Sequence, residues 1–251
     1  MSFSQLINFK LSFFMKNKHT QFYFLILNLI FFQIYAQESG VITFEAFNIE
    51  RDSFANPFPD DLTIKEPKVF TLLFDKQLCY FEAKDYNTEL KKTNPLYHAA
   101  KLYPLNYLGP VWNDSISTTK VVKNRFLKNN TMVVNNKQEW TMTDNYDTIL
   151  DFRVREAYYI KKYRNKFTSE HQDIKIKAWF TDELNFTGGP NNFHNLPGVI
   201  LRVRYLFYEY VATAISFEEV QLPEMPNTEK LSQDEYEKLI SNNIDKERNK
   251  Y

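Results

Sequence analysis

The sequence predicts a mainly β protein, an antiparallel sheet curled into an open or half barrel and followed by a C-terminal helix. Aromatic residues make up 17% of the 251 residues, with 23 Phe and 16 Tyr, and such residues are enriched in strands. Many short runs alternate apolar and polar residues, which is typical of half-buried strands. No helical pattern alternates with these runs, so antiparallel neighbours are expected. A β-sandwich is the alternative architecture.

The predicted strands begin with residues 40–49, in which Ile42, Phe44 and Ala46 share one side. A hairpin follows, with its turn at Asp75-Lys76. Residues 88–117 are rich in proline and aromatic residues, and we expect an irregular segment that packs on the sheet; lining a ligand site is the alternative. An acidic turn is predicted at residues 144–147. The further strands are predicted at 69–74, 77–83, 120–127, 131–134, 138–143, 149–161, 174–181, 199–204 and 207–222.

The C-terminal segment follows a helical pattern. Ser232 and Glu235 form a capping box, the reciprocal arrangement that begins many helices. The apolar residues that follow are spaced for one helix face: Tyr236, Leu239, Ile240 and Ile244. The sequence therefore predicts a helix over residues 232–249, which either docks on the sheet or extends as a charged tail.

The N-terminal 36 residues are typical of an export signal. Lys16 and Lys18 precede the apolar run 22–36, which is shorter than the roughly 20 residues that a membrane span needs. Ala36 suits a signal-peptidase site, and Met15 is an alternative start that would make residues 1–14 an upstream extension. We predict a signal peptide at 1–36, a β domain at 37–226 and a helical tail at 227–251.

The most informative stretch joins the strands 174–181 and 199–204. Pro197 presets the φ of a turn and Gly198 supplies a positive φ, so residues 196–199 fit a type II turn. Pro197 also lacks the N–H that a ladder hydrogen bond needs, so the second strand is expected to begin after it.

These residues resemble the GLPGLI family, a group of exported Bacteroidetes proteins of unestablished function. The resemblance is carried by Ala178-Trp179-Phe180-Thr181, Gly189-Pro190 and Leu196-Pro197-Gly198-Val199-Ile200, in that order. Asn195 stands where the family has a glycine, and Asn tolerates positive φ better than other non-glycine residues. The resemblance implies export to the cell envelope, often beside outer-membrane receptor systems, but no substrate, cofactor or catalytic residue.

The candidate binding site is the loop that carries this signature. An exposed loop between strands is a common place for function, although the same residues also suit a purely structural turn. The candidate residues are Trp179, Gly189, Pro190, Asn192, Phe193, His194, Leu196, Pro197 and Gly198.

The sequence indicates a binding module rather than an enzyme. The histidines do not occur at metal-ligand spacing, and no nucleophile elbow or phosphate-binding glycine loop is present. We therefore predict no catalytic residue, metal or cofactor. Cys79 is the only cysteine and is expected to be a small buried residue. The alternative is an enzyme of unrecognised type, such as a hydrolase that uses Asp182, Glu183 or His194.

The charge of the chain and its predicted export limit the classes of binding partner to be expected. Without residues 1–36 the chain has 28 basic and 31 acidic residues, so nothing indicates nucleic acid. The expected partner is an envelope protein or an apolar small molecule. We predict a periplasmic or extracellular location, and no stable membrane span after the signal is cleaved.

Overall fold

The computed structural model describes residues 39–49, 67–84, 107, 109–114, 117–122, 131–135, 138–164, 171–205 and 208–248. All of them belong to the unit Ser39–Tyr251. The predicted signal peptide and most of the segment 88–117 lie outside the described residues. The strands are β1 Gly40–Asn48, β2 Lys68–Phe74, β3 Leu78–Ala83, β4 Val111–Asp114, β5 Thr118–Val122, β6 Thr131–Asn135, β7 Thr141–Ile149, β8 Phe152–Arg164, β9 His171–Thr181, β10 Val199–Tyr205, β11 Tyr208–Phe217 and β12 Lys230–Ser232. The helix α1 covers Gln233–Arg248.

The described strands form a single sheet with the order β12-β6-β5-β4-β3-β2-β1-β11-β10-β9-β8-β7. The strands β12 and β7 have one neighbour each, so the sheet is open. Each strand pair is antiparallel except β12 with β6, which run parallel. The predicted mainly β fold with an open sheet and a C-terminal helix is confirmed. The alternative β-sandwich is wrong, because the described strands do not divide into two sheets.

The core covers one face of the sheet. Alternate residues of the central strands are fully buried there, which follows from the period of two along a strand. Phe70, Phe81 and Tyr210 are in mutual ring contact at centroid distances of 5.2 to 5.7 Å, within the range that favours aromatic pairs. The other fully buried side chains on this face include Ile42, Phe44, Leu72, Phe74, Ile176, Ala178 and Val203.

The predicted acidic turn at residues 144–147 is wrong. These residues belong to β7, which pairs only with β8 and contains a bulge between Met142 and Tyr146. An edge strand that is exposed on both sides does not need apolar residues, so its composition resembles that of a turn. The chain reverses at Leu150 and Asp151, with φ of 52° and 67°, which is the geometry of a two-residue hairpin turn.

Two other strands were not predicted. β4 lies inside the segment expected to be irregular, and β12 lies just before the helix. The predicted capping box is confirmed. The backbone N–H and the hydroxyl of Ser232 both donate to Glu235 Oε2 at 2.8 Å, and the Glu235 N–H donates to Ser232 Oγ at 3.2 Å. No helix among the described residues is long and apolar enough to cross a membrane.

Candidate functional site

The signature loop, residues 182–198, connects β9 to β10 and packs into the core. Its apolar side chains are almost fully buried: Leu184, Phe186, Phe193 and Leu196 are 2% to 7% exposed. They belong to the same cluster as the central strands of the sheet. The loop therefore covers the apolar face of the sheet, and its own apolar residues are not displayed to solvent.

The loop crosses three neighbouring strands along one row of the sheet. Phe74, Cys79 and Asn113 lie opposite one another on β2, β3 and β4. The Phe186 ring stacks on Phe74 with centroids 3.9 Å apart. Cys79 Sγ donates to the Thr187 carbonyl at 3.4 Å. Each step along the loop thus contacts the next strand of the sheet.

At the third strand the backbone of the loop is held by a buried amide. Asn113 Nδ2 donates to the carbonyls of Gly189 and Asn191, at 3.0 and 3.1 Å. Asn113 is fully buried, and buried carbonyls need such donors. The amide therefore fixes where the loop ends its course across the sheet.

A short segment before β7 holds the other side of the loop. Gln138 Oε1 accepts from the His194 N–H at 2.9 Å, and Gln138 Nε2 donates to the Asn192 carbonyl at 2.7 Å. Trp140 Nε1 donates to the His194 carbonyl at 2.7 Å. Asn195 Nδ2 donates back to the Gln138 carbonyl, also at 2.7 Å. Four hydrogen bonds thus attach the loop to the β7 side of the sheet.

Glycine is required where the loop approaches other backbone. A Cβ on Gly198 would collide with the Thr181 carbonyl, and its φ is 153°. The expected positive φ at Gly198 is confirmed, and Asn195 has the expected positive φ, at 68°. The expected type II turn is replaced by a tighter one, because the Gly198 N–H bonds to the Leu196 carbonyl at 2.8 Å. A bond between residues two apart closes a γ-turn around Pro197.

The candidate residues thus have different surroundings. Gly189, Pro190, Phe193, His194, Leu196 and Gly198 are buried, Trp179 and Asn192 are half-buried, and Pro197 is exposed. The structure brings the signature loop together as a packed unit. A direct role of these residues in binding stays a prediction.

The acidic and histidine residues considered for catalysis do not converge. Asp182 and Glu183 are exposed, whereas His194 is 1% exposed. Glu183 Oε1 accepts from the Arg153 N–H at 3.0 Å, away from the hydrogen bonds that hold His194. Burial raises the pKa of Cys79, which disfavours the reactive thiolate. The described part of the chain contains no group of three or more metal-ligating side chains.

Sequence reasoning missed a cluster of exposed and half-buried residues on β7 to β10, which we call the Arg–aromatic patch: Tyr146, Asp147 and Arg153, which are exposed, and Trp179 and Arg202, which are half-buried. The Arg153 guanidinium lies 4.0 Å from the Tyr146 ring centroid, and that of Arg202 lies 4.5 Å from the Trp179 ring centroid. Asp147 Oδ2 lies 3.9 Å from Arg202 Nη1. The strand register places this contact on the same face of the sheet as Trp179. Tyr146 and Arg153 lie on the opposite face, so the patch spans both faces at the β7 edge of the sheet. Trp179 and Arg202 are far apart in the sequence, so only the pairing of β9 with β10 brings them together.

A buried carboxylate supports this patch from β11. Glu209 Oε1 accepts from Arg202 Nε at 2.6 Å and from Arg204 Nε at 3.2 Å. Its side chain is 4% exposed, whereas that of Arg204 is 46% exposed. The same layering recurs at Lys177 and Glu156, 3.2 Å apart, with side chains 38% and 9% exposed. The cations thus face solvent and the carboxylates lie beneath them.

Comparisons with known proteins found a family of unknown function and solved structures with a similar fold. A family described as "Protein of unknown function (Porph_ging)" matches residues 117–202, about a third of the chain. No curated protein matches the sequence. The structure of PNGF-II in C2 space group is similar, with a TM-score of 0.51 and 14% identity, over 81% of this chain and 32% of that chain. The structure in P21 space group gives a TM-score of 0.48, 14% identity, and coverages of 81% and 33%.

The chain therefore spans about a third of the length of these PNGF-II structures. At 14% identity the first similarity concerns the fold alone. The family match covers β5 to β9, the signature loop and most of β10, which includes the residues that hold the loop on the β7 side.

Proposed function

We propose that this protein is an exported, non-enzymatic binding module of the cell envelope that binds an acidic protein surface through the Arg–aromatic patch. Export is supported by the composition of residues 1–36, and membership of a GLPGLI-type family by the motif around Gly198. Similarity to a family of unknown function over residues 117–202 is consistent with this proposal.

The observation that carries the proposal is the composition and exposure of the patch. Tyr146 is 50% exposed, and it lies against an exposed arginine. Tyr, Trp and Arg are the side chains that most often dominate binding energy at protein interfaces. Because an aromatic ring beneath a guanidinium is already ordered in the free protein, less conformational entropy is lost on binding.

The charge arrangement favours an acidic partner. Glu156 and Glu209 are nearly buried beneath Lys177, Arg202 and Arg204. A partner approaching this face of β8 to β11 therefore meets the cations before Glu156 and Glu209, although Asp147 at the β7 edge is itself 54% exposed. Complementary charge across an interface accelerates association and selects among partners.

A protein partner is favoured over the apolar small molecule considered from the sequence. On the part of the apolar face that the signature loop crosses, the aromatic residues of the sheet already contact the loop, as in the stack of Phe186 on Phe74. Phe193 and Leu196 fill adjacent positions in the same cluster. An apolar ligand there would have to displace packed side chains, whereas the patch is open to solvent.

The experiment compares crosslinking of four versions of the full chain in the envelope of its source organism. Tyr146→Ala and Arg153→Glu remove the exposed ring and reverse one exposed charge. Leu239→Ala is the control, because Leu239 is an exposed apolar residue on α1. We expect wild type and control to give the same acidic partner peptides, and both patch variants to reduce their yield about tenfold or more.

Partner identity and export are read from the same samples by mass spectrometry. Patch variants that recover the partner as well as wild type would refute the proposed surface. Because Tyr146 and Arg153 are exposed, their substitution should change stability by no more than about 0.5 kcal/mol. A mature protein that begins at Gln37 is expected, and retention of residues 1–36 would contradict export by cleavage.

A further inference from the structure

We propose that Lys120 and Lys161 form a binding site for a small monocarboxylate at one end of the concave face of the sheet. Lys120 lies on β5 and Lys161 on β8, and the signature loop fills the neighbouring part of the same face. The site shares no residue with the Arg–aromatic patch. Arg153 is eight residues away along β8, which is about 26 Å, so the site does not depend on the protein partner proposed above.

The signature loop shows how strongly the sheet curls. The loop bonds to Asn113 on β4 through the carbonyl of Asn191, and three residues later to Trp140, just before β7, through the carbonyl of His194. β4 and β7 are eight strands apart in the sheet, which would be about 38 Å if the sheet were flat. Three residues of chain span at most about 11 Å, and two side chains cannot reach across the rest. The face that carries the loop is therefore concave.

Lys120 lies on the concave side of β5. It is opposite Val111 on β4 and Val133 on β6, both of which are buried. Val111 belongs to the core cluster and precedes Asn113 by two residues, so their side chains share one side of β4. Lys120 is therefore one position beyond the row on which the loop ends, and it is half-buried.

Lys161 lies on the concave side of β8. Its side chain points to the same side of the strand as that of Tyr159, whose ring contacts Trp140 at a centroid distance of 4.7 Å. Lys161 Nζ lies 5.6 Å from the Tyr205 ring centroid, and the Tyr205 ring lies 6.3 Å from that of Phe193 in the signature loop. Lys161 itself is exposed. The loop thus ends before Lys161, and this end of the concave face is open to solvent.

The two ammonium groups act on each other across the concave face. Burial lowers the pKa of Lys120, and the charge of Lys161 lowers it further. An effect between such charges extends over about 10 Å. β5 and β8 are eight strands apart, so only the curl of the sheet brings these lysines together. Burial also lowers the pKa of Lys161, although its side chain is exposed, as expected for a group on a concave wall that is open on one side.

Glu237 on α1 balances these cations in part. Its charge raises the pKa of both lysines, against the effect of burial. Neither lysine forms an ion pair with a carboxylate in the part of the chain that the structure describes. Two cations and one carboxylate leave one net positive charge on a partly desolvated surface, where charges are usually paired. The site therefore lacks one negative charge.

The missing charge and the neighbouring side chains define the chemistry of the ligand. Each ammonium group offers three donors and no acceptor, and hydrogen bonds between ionised groups are stronger than neutral ones. A monocarboxylate supplies the single charge and one oxygen for each lysine. The wall beside Lys161 consists of Tyr159, Tyr205 and Ile174, which lies opposite Lys161 on β9. An apolar carbon body fits this wall better than a second charge does.

The test measures binding of small anions to the full chain and four variants. Lys120→Met and Lys161→Met each remove one charge with little change in shape, and Glu237→Gln removes the counter-ion. Lys162→Met is the matched control, because this exposed side chain points to the other face of β8. The probes are benzoate and hexanoate, with benzyl alcohol as the neutral control and inorganic phosphate as the more highly charged anion.

Ligand-observed saturation-transfer NMR gives the affinities, and urea denaturation checks that each variant folds. We expect benzoate or hexanoate to bind wild type and Lys162→Met equally. Lys120→Met and Lys161→Met should each weaken binding about tenfold or more, since a hydrogen bond to a charged group is lost. Glu237→Gln should strengthen binding about threefold, because a competing negative charge is removed. Benzyl alcohol should not bind.

Three results would overturn the proposal. Equal carboxylate binding by wild type, Lys120→Met and Lys161→Met would place the binding site elsewhere. The absence of saturation transfer from both carboxylates, with wild type and with Glu237→Gln, would show that the two lysines need no ligand. Tighter binding of phosphate than of either carboxylate, lost in both methionine variants, would assign the site to a phosphate and not to a monocarboxylate.

Discussion

The two edges of the sheet end in different ways. β12 has three residues, pairs parallel with β6 and leads directly into α1. β7 has nine residues, most of them exposed, and nothing among the described residues pairs with its outer side. A long exposed edge normally invites pairing with another chain. The exposed β7 edge therefore needs some feature that prevents it from pairing with another chain.

β7 is protected from within its own sequence. Its bulge interrupts the ladder between Met142 and Tyr146. The Asn145 N–H bonds to Thr143 Oγ1 at 3.2 Å, and the Thr148 N–H bonds to Asp147 Oδ1 at 2.8 Å. Bulges, local side-chain bonds and charges are the usual means of blocking strand addition. One edge is thus short and followed by a helix, and the other is blunted by its own side chains.

This difference explains why we assign partner binding to side chains rather than to strand addition. β7 offers few free backbone groups in a regular row, but it presents Tyr146 and Asp147 to the Arg–aromatic patch. The β12 side has no comparable set of exposed aromatic and arginine residues among its described strands.

Gly198→Val is expected to destabilise the β7 side of the sheet, with the largest loss of folding stability among the variants considered. A Cβ at this position would collide with the Thr181 carbonyl, and a β-branched residue resists a φ of 153°. The junction of β9 and β10 would have to open, at a cost of about 3 kcal/mol or more. Urea denaturation measures this loss. Pro197→Ala, at an exposed neighbour, is the control, and equal stability of the two variants would refute the assigned turn.

A matched pair of tryptophan substitutions tests whether the β7 side and the β12 side of the sheet are stabilised independently. Trp140 Nε1 donates to the His194 carbonyl at 2.7 Å on the β7 side, and Trp112 Nε1 donates to the Pro223 carbonyl at 2.9 Å on the way to β12. Phenylalanine at either position keeps an aromatic ring, smaller than the indole, and removes the Nε1–H donor. Each change should cost about 1–3 kcal/mol.

The location of the effect distinguishes the two sides. Hydrogen exchange should accelerate in the signature loop for Trp140→Phe, and in residues 218–232 for Trp112→Phe. If both variants accelerate exchange in the same segment, the two edges are not independent and the comparison fails.

The sequence predicted those parts of the fold in which local chemistry decides the outcome. Alternation predicted β1, β2 and β9, and the capping box predicted the start of α1. Asn195 was expected to accept a positive φ, and it does. Each of these depends on residues that are close in the chain, so a single stretch contains the whole signal.

The parts that were missed depend on strand register. Thr118 and Asn135 reveal nothing alone, and only the pairing of β4, β5 and β6 places them in one row with Asn113. Trp179 and Arg202 likewise meet through the pairing of β9 with β10. The burial of the signature loop was also missed, because loops are ordinarily on the surface and only the tertiary structure shows what it covers.

Ser232→Ala tests the β12 edge and is expected to have the smallest effect. Hydrogen bonds from the backbone N–H and the hydroxyl of Ser232 lower the pKa of Glu235, so the ionised carboxylate stabilises the beginning of α1. The variant loses the hydroxyl bonds, which costs about 1 kcal/mol at a helix N-terminus. Hydrogen exchange in α1 should accelerate, while exchange in β7 stays unchanged.

The same contact predicts the response of α1 to acid. Because the pKa of Glu235 is lower in the folded protein, its stabilising contribution is present above the unfolded pKa and is lost as the pH falls through the lowered value. Circular dichroism should therefore show wild type losing helical signal at acid pH, with a smaller loss for Ser232→Ala, which has fewer bonds to lose. Equal acid profiles would mean that the capping box does not hold the helix, and that the shortness of β12 alone protects that edge.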